Sequence, residues 1–288
     1  MFGWILTILL VSLLTIVFYK GYKNTKRVVI NQITIDSSNK SSKNSNTRPF
    51  RILHLSDLHL ENISISPKEL YETLKDEPID LIAVTGDFLD RKRTIPKLKP
   101  YLQVLNQLAP EYGIYAVFGN HDYVLRKKNF QELKKVLEEY NCKTMQNEND
   151  TLMIEGRKLH IIGIDDYSTK RSQIEKSYEN IENGYNLVLT HDPNVVLGMK
   201  DYHYDYLLSG HFHGGQIHWP KPFHLVKMGK LVRMNMVKGL HQHDGKTFYI
   251  SEGLGQTALN IRLGSRPEIT IHSIMLPFTK DEREVEAV

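Results

Sequence analysis

The chain has 288 residues, of which 41% are hydrophobic and 24% are charged. This is the composition of an ordinary globular protein, and it excludes a disordered chain with too little apolar surface to bury. Lys and Arg number 37 and Asp and Glu 33, and the resulting net charge of +4 permits an anionic substrate. No dense basic tract indicates a nucleic-acid partner, and Cys142, the single cysteine, excludes an intramolecular disulfide.

An uncharged, strongly apolar segment opens the chain. Phe2 to Tyr19 contain no charged side chain, and this length is close to the minimum that crosses a bilayer as a helix. No basic region precedes the segment and no small-residue cleavage site follows it, which argues against a cleaved signal peptide. We therefore expect a single-pass transmembrane anchor in residues 1–20.

Basic residues flank only the C-terminal end of this apolar segment. They are Lys20, Lys23, Lys26 and Arg27. By the positive-inside rule, this bias favours the cytoplasmic side of the cell membrane for the rest of the chain. The charge bias alone does not exclude the other side.

The next residues, 21–48, are predicted to form a first strand and a flexible tether. Val28 to Ile35 alternate enough for a strand, whereas Ser37 to Thr47 are rich in Ser, Asn and Lys, as loops are. Residues 49–276 are enough for one large α/β domain with a substantial core. Residues 277–288 are expected to form a C-terminal tail.

Five apolar runs in this domain stop abruptly at polar residues. The runs are Arg51 to Leu55, Leu81 to Thr85, Ile114 to Phe118, Leu187 to Thr190 and Tyr206 to Ser209. Runs of this length, rich in Leu and β-branched residues and bounded by Gly, Asn and Asp, predict buried strands rather than helices. The polar residues that follow therefore lie on loops at strand ends, where open α/β sheets bind ligands.

Helices are predicted between several of these strands. Pro67 to Lys75 and Pro100 to Leu108 each begin with proline, which is common in the first helical turn. Asn129 to Tyr140 place an apolar stripe on one helical face, which indicates core packing. Further strands are predicted at Lys158 to Ile164, Thr247 to Ser251 and Glu268 to Met275. Helix and strand alternate at first and strands dominate later, which indicates two packed sheets flanked by helices.

The polar segments carry carboxylate, imidazole and amide side chains. They are Ser56-Asp57-Leu58-His59, Gly86-Asp87, Gly119-Asn120-His121-Asp122, Thr190-His191 and Gly210-His211-Phe212-His213. Oxygen and imidazole ligands without thiolates suit Fe, Zn²⁺ or, because carboxylates are hard, Mn²⁺ in particular. Two such ions about 3.5 to 4 Å apart clamp the attacking and leaving oxygens of a displacement at phosphorus. The segments therefore predict a two-metal phosphoesterase.

One polar segment also supplies an acid. Asn120 offers a neutral amide oxygen, which binds a metal without adding charge that would repel an anionic substrate. His121 is then free to donate a proton to the departing alkoxide, and Asp122 can orient its ring and stabilise its positive charge.

At these residues the chain resembles the calcineurin-like metallophosphoesterase superfamily, whose pattern is D-x-H, G-D, G-N-H-[DE], a lone His and G-H-x-H. All five blocks occur in order, and the resemblance covers roughly residues 28 to 276. It is closest to the small membrane-associated bacterial branch, on Gly210 to Gln216 and on Ser251 to Gly255, followed by Arg262 and by Pro267 to Ile269. That branch often has a proline where this chain has Arg266. The resemblance implies a four-layer α/β/β/α sandwich.

The resemblance also implies a role for each matching residue. One metal would be bound by Asp57, His59 and His213, the other by Asn120, His191 and His211, and both by the bridging Asp87. A hydroxide held between the metals would be the nucleophile, and His121 the general acid.

A lone Asp-x-His or Gly-Asp also marks ordinary turns, so the prediction depends on the five blocks together. The histidines outside the blocks are expected on the surface or in the core. They are His54, His160, His203, His218, His224, His241, His243 and His272. For Asp165 and Asp166, capping of a loop is favoured over a place in the site.

The segment from Trp219 to Lys238 mixes basic and apolar residues directly after the last block. The favoured interpretation is an irregular loop with a strand packed on the core. A second hypothesis is that Phe223, Leu225 and Met228 contact the membrane and help to bring a lipid phosphate or pyrophosphate to the metals.

The sequence thus predicts a membrane-anchored, dinuclear-metal-dependent phosphoesterase. Its substrate would be a phosphodiester, a phosphomonoester or a lipid pyrophosphate, carried by a small molecule or a lipid, and no protein partner is predicted. The alternatives are a nucleotide or nucleic-acid phosphodiesterase, and a non-catalytic membrane-anchored scaffold with the same fold. Scaffolds of that kind usually lose ligands or the general acid, and this chain has kept them all, which argues for catalysis.

Overall fold

The computed structural model describes residues 2–35, 48–218 and 221–276. Two six-stranded sheets form its centre. The first contains, in spatial order, β1 (Val29–Ile35), β12 (Glu268–Ile274), β2 (Phe50–Leu55), β3 (Leu81–Thr85), β4 (Ile114–Val117) and β5 (Cys142–Met145). The second contains β10 (Gly239–His243), β11 (Lys246–Ile250), β9 (Tyr206–Ser209), β8 (Tyr185–Leu189), β7 (Arg157–Gly163) and β6 (Glu148–Ile154).

Helices accompany both sheets. They are α1 (Phe2–Asn24), α2 (Pro67–Leu74), α3 (Ile95–Gln107), α4 (Lys127–Glu139), α5 (Ile174–Ser177) and α6 (Lys230–Arg233). Helices α2, α3 and α4 connect the parallel strands β2 to β5. The predicted four-layer α/β/β/α architecture is therefore confirmed.

Side-chain alternation along the strands produces the layers. In β2, Phe50 and Ile52 pack between the two sheets, whereas Leu53 and Leu55 pack against the helices. Successive side chains of a strand point to opposite faces, so a strand covered on both faces needs an unbroken apolar run. This is why the strands that precede the polar segments lack polar alternation. A third apolar cluster covers the outer face of the second sheet.

Helix α1 leaves the domain along most of its length. Its side chains are exposed from Phe2 to Tyr19, and an 18-residue window of the helix has a mean hydropathy of 2.3. By length and composition α1 could cross a membrane. Its last turn is different, because the Gly21 carbonyl accepts a hydrogen bond from Arg262 N (3.0 Å) and Asn24 Nδ2 donates to the Arg262 carbonyl (2.9 Å). The C-terminal end of α1 is thus bound to the domain.

Two features differ from the sequence-based expectation. Helix α3 begins at Ile95 rather than at Pro100, which lies inside the helix. The proline lacks one backbone donor, but burial of Leu98, Leu102 and other apolar side chains of α3 offsets that loss. Strands β5 and β6 were not predicted, because β5 is short and β6 is a mostly polar edge strand.

The segment after the last histidine block packs largely on the second sheet. Leu225, Leu231, Val232 and Val237 are buried in the outer apolar cluster, as the predicted core packing requires. The strand expected in this segment is wrong, because the described residues 221–238 form a 3-10 helix at Phe223–Met228 and helix α6 instead. Trp219, the tether from Ser37 to Thr47 and the C-terminal tail lie outside the described residues. The division of the chain at residues 20, 48 and 276 stays a prediction.

Candidate active site

The residues of the polar segments follow the carboxyl ends of strands from both sheets. Asp57 and His59 follow β2, Asp87 follows β3, Asn120, His121 and Asp122 follow β4, His191 follows β8, and His211 and His213 follow β9. Parallel strands that end at one edge bring their loops together. The site is therefore shared by the two sheets, and neither sheet could form it alone.

Backbone conformation distinguishes these loops. Five of the seven predicted metal ligands have positive φ, at 49° for Asp57, 35° for His59, 54° for Asp87, 76° for His211 and 50° for His213. Each such residue costs on the order of 1 to 3 kcal/mol, and such strain clusters at functional sites. Neighbouring loops hold the turns: Asp57 N donates to Gly86 O and His59 N to Asp87 O, both at 3.0 Å.

Three overlapping groups of possible metal ligands result. They are Asp57, His59 and His213; His59, Asp87 and His121; and Asp87, His191 and His211. Within each group the ligand atoms lie within 4.8 Å of one another. Asp87 belongs to two groups, and its Oδ2 lies 3.1 Å from His191 Nε2 and 3.5 Å from His59 Nε2. The structure thus places one carboxylate between two sets of imidazoles.

Several buried atoms in this region have no hydrogen-bond partner among the described residues. They include His59 Nε2, His213 Nδ1 and Asn120 Oδ1. Buried polar groups are normally satisfied, so unpartnered atoms at one place need an explanation. Nitrogen and oxygen donors of these types bind divalent transition metals. The residues therefore fit two divalent metal ions, whereas the individual ligand assignments stay predictions.

The electrostatics of the site agree with this fit. Burial disfavours the Asp87 carboxylate, but the imidazoles of His191 and His59 outweigh burial and hold the pKa of Asp87 well below its usual range. Burial disfavours the His191 imidazolium too, yet Asp87 raises the pKa of His191 well above its usual value. Burial lowers the pKa of His213 to about 3. The buried carboxylates thus require nearby positive charge, which an imidazolium or a bound cation can supply.

Two glycines allow the loops to approach one another. A Cβ atom on Gly119 would overlap the Asp87 carboxylate, and one on Gly210 would overlap Ser56 Oγ and the Asp57 carboxylate. Glycine at the start of each of these two blocks is therefore a steric requirement of the site.

Asp122 was predicted to orient the His121 ring, but in the structure it bonds to backbone N–H groups instead. Its two oxygens accept four backbone N–H bonds, from residues 87 to 89 and from Gly119, at 2.9 to 3.3 Å. No hydrogen bond or ion pair joins Asp122 to the His121 ring in the described part of the chain. Asp122 holds the loop that carries Asp87 against the loop that carries His121.

A different carboxylate lies beside the His121 ring. Asp90 Oδ2 is 3.8 Å from His121 Nδ1, and neither that nitrogen nor Asp90 Oδ1 has a hydrogen-bond partner in the described chain. Asp90 was not predicted from the sequence as a residue of the site. The available signal was a second acidic residue three positions after Asp87 in the same strand-end loop.

Arg262 was also missed as a structural part of the site. Its buried guanidinium donates to the carbonyls of His213 (3.2 Å), Gly253 (3.0 Å) and Gly255 (2.7 Å), among others. Gly255 N in turn donates to Asp57 O (2.7 Å). One side chain therefore ties together two loops that carry predicted ligands, a role that no local pattern signals.

A cavity of about 480 Å³ opens beside the ligand groups. Its lining includes the polar residues Asp87, Asn120 and His121 and the apolar residues Leu225, Met228, Ala258 and Leu259. His224, expected on the surface or in the core, also lines this cavity.

The other isolated histidines lie outside the ligand groups. His54 and His272, for example, are buried and bond to Thr85 Oγ1 (2.8 Å) and to Tyr206 Oη (2.9 Å). Asp166 accepts hydrogen bonds from Ser168 and Thr169, which is the expected loop capping.

Two sheets that direct carboxylates, imidazoles and an amide from their strand ends to one cavity define a metallophosphoesterase. The family model described as calcineurin-like phosphoesterase matches residues 50–215, more than half of the chain. The chain therefore belongs to the calcineurin-like phosphoesterase family, and the resemblance found in the sequence is confirmed.

Known relatives support this classification. An uncharacterized metallophosphoesterase of Bacillus subtilis (strain 168), YkoQ, is 64% identical over 270 residues, which cover 92% of this chain and 99% of the relative. The phosphodiesterase YaeI of Escherichia coli (strain K12) is 28% identical, with 78% of this chain and 82% of the relative covered. LpxG of Chlamydia muridarum (strain MoPn / Nigg), named a UDP-2,3-diacylglucosamine pyrophosphatase, is 28% identical over 77% of this chain and 82% of the relative. The chain is a metal-dependent phosphoester hydrolase.

Proposed function

We propose that the chain is a membrane-anchored dinuclear phosphoesterase whose substrate joins a phosphate ester or pyrophosphate to an apolar group. The observation that carries the proposal is the Asp87 carboxylate, which two ligand groups share at the wall of a cavity that apolar residues also line.

The predicted ligands form two sets, one for each cation. Asp57, His59 and His213 would hold one, Asn120, His191 and His211 would hold the other, and Asp87 would contact both. When bound, two such cations stabilise charge at the phosphoryl group and make a nucleophile available near neutral pH. The left-handed loops keep the ligands in place before substrate arrives, which lowers the cost of organising the site during the reaction.

His121 is the group best placed to move a proton. It lines the cavity beside Asp87, and its backbone N donates to Asp87 Oδ1 (2.8 Å), which fixes its loop relative to the ligand groups. We assign to its imidazolium the proton that the leaving oxygen needs. Asp90, rather than Asp122, is the carboxylate that can orient this ring, and a separation of 3.8 Å is ordinary for a site that tightens around its substrate.

Helix α1 supports the membrane part of the proposal. Its apolar length suits a bilayer, and its last turn is bonded to Arg262, the residue that ties the ligand loops together. A signal peptide that is removed would have no need of such contacts. The basic residues beyond the helix favour the cytoplasmic side for the catalytic domain.

The relatives bear on the substrate only by their names. LpxG is named for a lipid pyrophosphate and YaeI for a phosphodiester. The apolar residues in the lining of the cavity favour an amphipathic substrate here. A nucleotide phosphodiesterase is the second candidate, and turnover of soluble diesters without a preference for apolar esters would favour it.

The first test is hydrolysis of paired aromatic phosphate mono- and diesters by the full chain, purified metal-free and resupplied with Mn²⁺. We expect activity only with metal. The variant Asp87→Asn should lose at least about a hundredfold in kcat, because it removes a charge that stabilises the reacting centre. Asp201→Asn, which changes an exposed carboxylate outside the site, serves as the matched control.

Metal content gives an independent result. Wild-type protein should retain two metal ions per chain after gel filtration, and Asp87→Asn fewer. Full activity of Asp87→Asn, or of metal-free wild-type protein, would contradict the dinuclear assignment. A folded, metal-loaded chain that hydrolyses neither aromatic esters nor a lipid pyrophosphate would support a scaffold.

A further inference from the structure

A second cavity lies between α1 and the domain. It has a volume of about 660 Å³, and its walls are the helix face formed by Val11, Leu14, Thr15, Phe18, Tyr19 and Tyr22 and the segment from Leu259 to Ile261. None of these lining residues is charged. We call this cavity the helix groove. Because α1 is long and apolar enough to cross a bilayer, the groove would open towards hydrocarbon.

The helix groove adjoins the active-site cavity. Leu259 lines both cavities, and 54% of its surface is exposed. The two cavities are therefore adjacent, with Leu259 between them.

The wall between the two cavities is attached to the catalytic loop. Gln216 lies three residues after His213, and its Nε2 donates to the carbonyls of Thr257 and Leu259, both at 2.9 Å. Its Oε1 accepts from Thr257 N at 3.0 Å. Leu259 is thus held in a defined position relative to the ligands.

The other wall of the groove is fixed as well. The bonds of Gly21 and Asn24 to Arg262 hold the end of α1, and Arg262 bonds directly to the His213 carbonyl. Both walls of the groove are therefore held by residues that also hold the ligand loops. The groove is a feature of the site and not a gap beside a loose anchor.

We propose that the helix groove binds the hydrocarbon chain of a phosphate ester whose phosphate lies at the ligand groups. This inference rests on the proposed function and adds the route by which the substrate enters. The uncharged groove and the polar ligand groups match the two halves of an amphipathic molecule. A long hydrocarbon chain partitions into the bilayer that the groove faces, whereas a short chain stays in water, so the groove would select long-chain esters.

The groove would accept substrate molecules that are already in the bilayer. A chain that slides along α1 remains in apolar surroundings while its phosphate approaches Asp87, so it need not cross water. The position of the groove next to the active-site cavity favours a substrate chain over a helix from a second copy, because a helix in the groove would make no use of the nearby ligand groups.

Two neighbouring leucines of α1 provide a matched test. Leu14 lines the groove, whereas Leu13 is exposed and is not among the residues that line it. Leu14→Trp should fill the groove, and Leu13→Trp makes the same chemical change outside it. Both variants keep α1 apolar, so membrane insertion should be retained in both.

The experiment measures kcat/KM of the full chain in phosphatidylcholine nanodiscs. The substrates are ethyl and dodecyl esters of the class that the enzyme hydrolyses, either alkyl phosphates or 4-nitrophenyl alkyl phosphates. We expect the dodecyl-to-ethyl ratio to fall by about tenfold or more in Leu14→Trp, with turnover of the ethyl ester within about twofold of wild type. Leu13→Trp should keep the wild-type ratio.

A second pair of variants tests the connection between the cavities. Leu259→Glu places a charge at the residue that lines both cavities, and Leu240→Glu places one at a leucine of similar exposure in β10 that lines neither cavity. The ratio should fall in Leu259→Glu alone. The proposal would be overturned if neither Leu14→Trp nor Leu259→Glu changed the dodecyl-to-ethyl ratio of kcat/KM. It would also be overturned if this ratio fell equally in the test variant and the control variant of either pair.

Failure of this inference differs from failure of the proposed function. If the ethyl ester is hydrolysed with no effect of chain length, the groove proposal falls and the phosphoesterase remains. If no ester is hydrolysed, the groove is still tested by photolabelling with a dodecyl phosphate that carries a diazirine near the chain end. Labelling of the Leu259 to Ile261 segment should be several-fold lower in Leu14→Trp than in Leu13→Trp. Labelling that is equal in the two variants would overturn the proposal, and contacts between chains at this groove would indicate a second copy as its occupant.

Discussion

Three buried aspartates at this site have the same side chain but different surroundings. Asp87 lies among imidazoles, Asp57 lies beside His213, and Asp122 faces only backbone N–H groups. The surroundings decide the chemistry: the first two can share a cation with their neighbours, whereas the third has its lone pairs occupied. Asp122 therefore acts on the site through the loops it holds.

The variant Asp122→Asn measures how much the hydrogen bonds of Asp122 contribute to stability. An amide places an N–H₂ group against backbone donors, so we expect the free energy of unfolding to fall by about 1 to 3 kcal/mol. Urea denaturation of the detergent-solubilised, metal-free chain measures the change, with Asp201→Asn as the exposed control. Equal stability of the two variants would show that the four hydrogen bonds of Asp122 contribute little.

Glu268, in β12, has a role in stability that depends on pH. Burial raises its pKa to about 7 from an ordinary value of 4.5, although Tyr249, Thr270 and Asn31 donate to its carboxylate. Between those two pH values the folded chain binds more protons than the unfolded chain. Its contribution to stability is therefore greatest at acid pH and is lost as the pH rises through about 7.

We expect Glu268→Gln to remove this dependence. From pH 4.5 to pH 7 the wild type should lose about 3 kcal/mol of unfolding free energy relative to the variant, and the difference should be constant at higher pH. Urea unfolding at a series of pH values checks this, and Glu175→Gln, at an exposed position of α5, is the control. Parallel stability curves for wild type and Glu268→Gln would contradict the raised pKa.

At the scale of elements, the strands place the site and the loops shape it. The strands end at a common edge, and the left-handed turns after them redirect the chain within one or two residues. Helix α1 is the unexpected element, because its last turn joins the network of Arg262 rather than leading loosely into the domain. The C-terminal end of α1 is thereby part of the structural support of the loops that carry the predicted ligands.

The variant Gly21→Leu tests whether the C-terminal end of α1 is held against the domain. A Cβ atom on Gly21 would lie 3.0 Å from Ile261 Cβ, so a leucine must push the helix end away. We expect tryptic cleavage after Lys26 or Arg27 to become several-fold faster, because local opening exposes the backbone. Gly3→Leu is the control, since nothing lies within 4 Å of its Cβ position. A cleavage rate that Gly21→Leu leaves unchanged would show that α1 is not held by this contact.

At the scale of the whole molecule, the catalytic site and the apolar helix form one structure. The two sheets contribute ligands from opposite sides of the inter-sheet core, and Arg262 connects those ligand loops to α1. The arrangement places a hydrolytic site at a fixed distance from a candidate membrane helix.

This organisation predicts that the helix is retained in the mature protein. The full chain should stay in the membrane fraction after alkaline carbonate washing, because α1 is uncharged and apolar over a span that suits the bilayer. The intact mass of the purified protein should include residues of α1. A soluble product that begins after residue 24 would instead identify α1 as a cleaved signal.

Local patterns in the amino-acid sequence were sufficient to predict the strand cores, the polar segments at the strand ends and the presence of an apolar helix. An unbroken apolar run followed by Asp, Asn or His specifies both a buried strand and the chemistry at its end. This pattern alone identified Asp57, Asp87, Asn120 and the histidine blocks as candidate ligands.

Which groups meet, by contrast, depends on how the two sheets and α1 pack. Packing gave Asp122 its backbone donors, brought Asp90 to His121, and joined α1, Gln216 and Arg262 to the ligand loops. Asn24 and Arg262 bond across 238 positions of sequence, and such contacts leave no local pattern. Side chains with the same chemistry acquire different roles when packing, rather than sequence neighbourhood, chooses their partners.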